Sequence, residues 1–170
     1  MREVPGDMVK YLFPLLMLFV PGLAVAEYYD EDELPFVEIK AVDDFAALAQ
    51  QARENNQVIM LEMSASYCGY CETLEEEIIK PMLRSGDYED NVLIRKVEID
   101  RHYPMNDLGG GRISGAQLAS RYDVFVTPTL IFINSEGKEV SERILGVNSL
   151  DFYGAYVDEA IDEGYLKIKR

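Results

Sequence analysis

Residues 57–74 read QVIMLEMSASYCGYCETL, and their reading decides the fold. Gln57–Met63 is a compact apolar strand with VIMLEM at its centre, suited to burial on both faces of a sheet. Ser64–Tyr67 reads as a turn. A helix is then expected to begin near Cys68 and run through Leu74, Ile78 and Ile79. Pro81 should kink or end it, because proline lacks the N–H that helix propagation needs and its ring crowds the preceding turn.

Cys68 and Cys71, separated by Gly69 and Tyr70 at a helix start, form a chemically specific arrangement. One thiolate can attack a substrate disulfide and the other can resolve the mixed disulfide that results. Free N–H groups and the macrodipole at the helix N-terminus stabilise a thiolate on the first cysteine. Cys68 is therefore the expected exposed nucleophile, and Cys71, one turn further in, the buried resolving thiol. A zinc site would need two more ligands, yet the chain has only these two cysteines and one histidine, His102. A purely structural disulfide would close too small a loop to restrain the unfolded chain much. No metal or other cofactor is expected. His102, alone in a loop with Pro104, is expected to be neither ligand nor proton shuttle. The glycines at 109–111 lack the following Gly-Lys-Ser/Thr of a phosphate loop.

Outward from this centre, a short strand is expected around Phe36–Ile39. A helix follows, capped by Asp43 or Asp44, with Phe45, Leu48, Ala49 and Ala52 at helical spacing. Asn91–Asp100 alternates with β-branched residues and reads as a second core strand. Residues 101–114, RHYPMNDLGGGRIS, break every periodic pattern and read as a loop. A short helix over Gly115–Tyr122 precedes strands at Thr129–Ile133 and Glu139–Leu145 around the turn Asn134–Gly137. Leu150–Glu163 reads as a closing amphipathic helix. These elements predict an α/β domain with a mixed four- to five-stranded sheet and helices on both faces.

The 170 residues suit one such domain, expected over 36–166 with a short basic tail at 167–170. Residues 1–26 read as a signal peptide: Arg2 and Lys10 precede an apolar run from Tyr11 to Val20, and Ala24-Val25-Ala26 supplies a small-residue cleavage pattern. The alternative is an uncleaved N-terminal anchor. Residues 27–35, EYYDEDELP, form an acidic lead-in. Export implies a compartment that permits disulfides, with the periplasm as the expected location. A net charge of −15 repels phosphate backbones, so no nucleic-acid partner is expected.

The strand, Tyr67-Cys68-Gly69-Tyr70-Cys71, the helix and the later Val126-Thr127-Pro128-Thr129 together resemble the thioredoxin superfamily, over roughly residues 36–163. The resemblance implies a thioredoxin fold and several roles. Pro128 would be cis and lie against the disulfide, where it and Thr127 would cradle an extended substrate segment. Glu62, six residues before Cys68, matches a buried acid that takes the proton of the resolving thiol, a task helped by the raised pKa of a buried carboxyl. Lys96 matches the lysine that partners this acid. Gly146 matches a glycine that keeps the surface flat for substrate. Tyr67 stands where the family usually has tryptophan, and Tyr67, Gly69 and Tyr70 would form a substrate rim.

Gly-Tyr between the cysteines and Thr127 before Pro128 resemble the catalytic domain of periplasmic disulfide isomerases. The region 109–122 and the hairpin resemble small periplasmic thioredoxins, including those associated with sulfur oxidation. With no separate dimerisation domain ahead of the catalytic part, a monomer is expected. Glu72, Glu75, Glu76 and Glu77 read mainly as a solvated helix face. Near Cys68 they would oppose its thiolate, which favours a reductant. The expected function is reduction of disulfides in exported proteins, with electrons drawn from a membrane thiol donor. The alternatives are a disulfide isomerase or oxidase, and a redox-inactive chaperone or assembly adaptor.

Overall fold

The computed structural model describes residues 34–170; the expected signal peptide and the lead-in up to residue 33 lie outside the described residues. Helix α1 (Phe45–Asn55) starts where the Asp44 carboxylate accepts a 2.8 Å bond from the Ala47 N–H. It ends at Asn56 in the left-handed conformation. Strand β1 (Val58–Ser64) is buried at every position. A run that is apolar on both pleat faces must lie inside a sheet, and β1 does: it pairs in parallel with β2 (Val92–Glu98) and antiparallel with β5 (Thr129–Ile133). The short β6 (Ile144–Leu145) joins β5, giving the order β2-β1-β5-β6.

Alternation along β1 sorts the core into two layers. Ile59, Leu61 and Met63 face α1 and α4 (Gly115–Arg121), together with Phe45, Leu48 and Leu118. Val58 and Met60 face the opposite way, towards Leu74 and Met82 of the helical run after the cysteines and towards Val157 and Ile161 of α5 (Tyr153–Ile168). The mixed sheet with helices on both faces is thus present, with four strands.

Four local expectations need correction. The strand expected at Phe36–Ile39 does not form, and Phe36 is exposed. The segment between Pro35 and α1 makes isolated bridges only, Ala41 against the outer edge of β2 at Lys96 and Asp44 against Asn106. Pro81 does not end its helix. Helix α2 (Gly69–Leu74) widens into a π-helical turn over Glu75–Ile79 and continues as α3 (Lys80–Ser85). The Lys80 N–H bonds to the Glu75 carbonyl, five residues back, and the proline follows this wide turn at the start of the next helical segment. Residues 101–114 contain a small hairpin, β3 (Met105–Asn106) with β4 (Arg112–Ile113). Met105 and Ile113 bury themselves in the core, and Gly110 and Gly111 take positive φ between them. Finally, the expected Glu139–Leu145 strand is interrupted: Glu139 makes a single bridge to Ile133, the chain leaves the ladder at Ser141, and pairing resumes only at Ile144–Leu145. The Arg143 guanidinium there turns to Glu139 and to the Tyr122 carbonyl.

The start of α4 packs directly on the end of β2. A Cβ at Gly115 would lie 2.2 Å from the Glu98 carbonyl oxygen. Gly115→Ala is therefore expected to lower the unfolding free energy by about 1–3 kcal/mol. Denaturant titration checks this, and an unchanged midpoint would contradict the close approach.

Candidate active site

Cys68 occupies the N-cap of α2 and is bonded to Cys71, with the two Cα atoms 5.2 Å apart. The Cys71 N–H donates to Cys68 Sγ at 3.2 Å, so the helix start directs a backbone dipole onto the outer sulfur. Cys68 is 8% exposed and Cys71 1%; the outer sulfur is the one an attacking group can reach. The turn before them is pinned by Asp100 at the end of β2. Its carboxylate accepts the Ser66 N–H at 3.1 Å and the Ser66 hydroxyl, and these bonds hold its pKa below the usual carboxylate value. Asp100 thus fixes the loop that carries Tyr67 and Cys68, although the sequence reading did not single it out. A partial signal was its place at the polar end of a core strand.

Tyr67 and Tyr70 are 78% and 68% exposed, and with Cys68, Gly69, Thr73 and Thr127 they line an open groove of about 490 Å³. Thr127 and Pro128 come from the segment leading into β5, and their peptide bond is cis. The Gly146 N–H donates to the Pro128 carbonyl at 2.8 Å, so Gly146 sits beside that segment. The Tyr153 hydroxyl in turn donates to the Gly146 carbonyl at 3.2 Å. The sequence also gave no notice of Phe125, 90% exposed just before Val126 and Thr127. In an apolar run before a strand it reads as core; only the tertiary fold leaves it outside. A wider cleft of about 670 Å³ between β6 and α5 shares Gly146 with this region but contains no sulfur.

Glu62 is fully buried on β1, with its side chain on the face covered by α2 and α5. Neither carboxyl oxygen has a hydrogen-bond donor among the described residues. Burial raises its pKa from 4.5 to about 8; the negative charge of Glu75 adds to the rise and Lys96 opposes it. Lys96 lies opposite Glu62 in the β1–β2 register and on the same face. Its ammonium nevertheless pairs with Glu75, at 3.0 and 3.1 Å from the two carboxylate oxygens, rather than with Glu62. The implied lysine–acid contact is therefore replaced by one to a third residue. Glu72, Glu76 and Glu77 are exposed, as a solvated face requires, but Glu75 is not part of that face. The available signal was its spacing: Glu75 follows Cys71 by four residues, one turn along the sheet-facing side of the helix. His102 is exposed. No group of three or more potential metal ligands occurs among the described residues.

A family model described as a thioredoxin-like domain matches residues 45–161, more than half of the chain and including both cysteines. The chain belongs to the thioredoxin-like family. Solved structures agree on the fold of this thioredoxin-like protein. Thioredoxin from Fasciola hepatica is 22% identical, with 74% of this chain and 99% of that one covered at a TM-score of 0.50. Thioredoxin from Malassezia sympodialis is 16% identical, with coverages of 81% and 99% and a TM-score of 0.51. A poplar thioredoxin h is 14% identical, with coverages of 72% and 96% and a TM-score of 0.53. No curated protein matches the chain by sequence. With its CxxC pair in this fold, the thioredoxin-like protein is a thiol–disulfide oxidoreductase.

Proposed function

We propose that this oxidoreductase is a reductant of disulfides in exported proteins, working in the periplasm and drawing electrons from a membrane thiol donor. The observation that carries the reading is the placement of the pair: an accessible Cys68 sulfur at a helix N-cap, beside the groove of Tyr67, Tyr70 and Thr127, with Cys71 buried behind it. In the reduced protein, the Cys68 thiolate attacks one sulfur of a substrate disulfide and expels the other as a thiolate. Cys71 then gives its proton to Glu62 and attacks Cys68 Sγ. The second substrate thiolate leaves, and the Cys68–Cys71 disulfide remains. Two electrons pass to the substrate, and a donor dithiol must return two electrons to restart the cycle. Thr127, Pro128 and Gly146 provide the backbone edge for an extended substrate segment, while Tyr67 and Tyr70 supply apolar contact beside Cys68.

The charges on this helix favour a reductant. Among the described residues, the acidic helix carries Glu72 and Glu77 without a lysine partner, and its lysine-bound Glu75 and Glu76 leave no free cation for a thiolate. A reduced pair that gains little stabilisation is a reducing one. The equilibrium redox potential of the Cys68/Cys71 pair in glutathione or dithiothreitol buffers tests this. A value near about −270 mV is expected, and one near about −120 mV would overturn the reductive reading in favour of an oxidant.

A further inference from the structure

Four charged or titratable groups surround the Glu62 carboxyl, from three different elements. Lys96 and Glu98 come from β2, Glu75 from the π-helical turn, and Tyr153 from α5. Glu98 is engaged by Arg101 and Tyr153 by the Gly146 carbonyl. That leaves Lys96 as the cation best placed to serve Glu62, since the two residues are register partners on one face of the sheet. Its ammonium is instead held by both oxygens of Glu75, in a pair that is itself largely buried, with side chains 22% and 15% exposed. The local backbone contributes to this arrangement. Glu75 opens the π-helical turn, one residue after buried Leu74 and four after Cys71.

We propose that Glu75 is a positioning residue of the redox site: by binding the Lys96 ammonium it withholds that charge from Glu62 and so governs the pH at which Glu62 accepts the resolving thiol's proton. Two effects of Glu75 act in the same direction. Its own negative charge disfavours a second carboxylate nearby, and its capture of Lys96 weakens the counter-charge that would favour one. A low-dielectric surrounding strengthens both. Glu62 is thereby kept as an acid that is neutral until the pH approaches the alkaline side, while its conjugate base is strong enough to take a thiol proton. Lys96, in this reading, supports Glu75 first and Glu62 second. The inference rests on the assignment of Glu62 as proton acceptor made above, and the two are separable by experiment.

The test uses the full chain and the single variants Glu75→Gln, Lys96→Met and Glu62→Gln. The first readout is the titration of the Glu62 carboxyl carbon by NMR in 13C-labelled protein, assigned by its loss in Glu62→Gln. The second is the pH dependence of single-turnover reduction of insulin by the reduced protein. Glu75→Gln is expected to move the Glu62 titration to lower pH by about one unit, and Lys96→Met to move it upward. The rising limb of the rate profile should follow, giving Glu75→Gln a rate about tenfold above the wild type on the acidic side of that limb. A salt bridge that served packing alone would leave the Glu62 titration in place in both variants. If Glu75→Gln leaves the Glu62 titration in place, or both variants move it in the same direction, the proposal is overturned. If the titration moves as expected while Glu62→Gln leaves the rate profile unaltered, the positioning role of Glu75 stands and Glu62 is not the proton acceptor.

Discussion

Cys68→Ser is expected to abolish disulfide reduction, and Cys71→Ser to stop the same reaction one step later. A serine hydroxyl at the α2 N-cap retains the capping geometry but cannot form the mixed disulfide, so no electron pair reaches the substrate. Cys71→Ser leaves the outer sulfur able to attack but removes the group that resolves the adduct. The expected result is a protein that accumulates covalently joined to its substrate, visible as a reducible band of added mass on a non-reducing gel. The contrast matters more than either loss, since it assigns attack to Cys68 and resolution to Cys71. Their burial argues for that order: Cys71 is shielded behind the helix start and cannot meet a substrate sulfur directly. Substrate trapping by Cys68→Ser instead of Cys71→Ser would reverse the assignment. Unchanged disulfide reduction in Cys68→Ser would exclude Cys68 as the attacking sulfur.

Glu62→Gln is expected to change how stability depends on pH. Burial, helped by the charge of Glu75, raises the Glu62 pKa from 4.5 to about 8 in the folded chain. Between those values the folded state holds a proton that the unfolded state has released. Stability then falls as pH rises through this window and levels off above the folded-state value. Glutamine cannot ionise, so the variant lacks this slope. Relative to the wild type, the oxidised variant should gain stability steadily from about pH 5 to pH 8, by on the order of 3 kcal/mol in total. Denaturant midpoints of the two proteins across that range measure the difference. Parallel pH profiles would show that Glu62 ionises normally despite its burial. The same substitution should slow the resolving step, so the variant trades turnover for stability, as expected where a buried, unpaired carboxyl serves a reaction.

The central strand and the cysteine pair were legible because their signals are local. A run such as VIMLEM, apolar on both faces but for Glu62, is satisfied best by burial on two faces, and β1 lies between two neighbours for that reason. Two cysteines with two residues between them, at the start of a helical pattern, can be joined without reference to the rest of the chain. The capping of α1, expected from Asp43 or Asp44 and made by Asp44, is equally local. Edges were less legible. The ladder at 139–145 and the bridge at Ala41 depend on which backbone groups a neighbouring strand leaves free, which no residue preference records. The continuation of the helix through Pro81 depended on a widened turn, which a propensity argument for proline does not anticipate.

By itself, then, the sequence determined the order of elements around the pair, the identity of the two sulfurs and the strand that carries Glu62, because each follows from spacing along one segment. The tertiary structure alone decided the company these residues keep. It placed Lys96 opposite Glu62 by parallel pairing and brought Glu75 over both from the helix. It also set Asp100 under Ser66 and left Phe125 in solvent. The physical reason is that charge and exposure are properties of neighbourhoods. Whether a lysine serves one carboxylate or another depends on distances between elements remote in sequence, and those distances exist only after the sheet and its helices have packed.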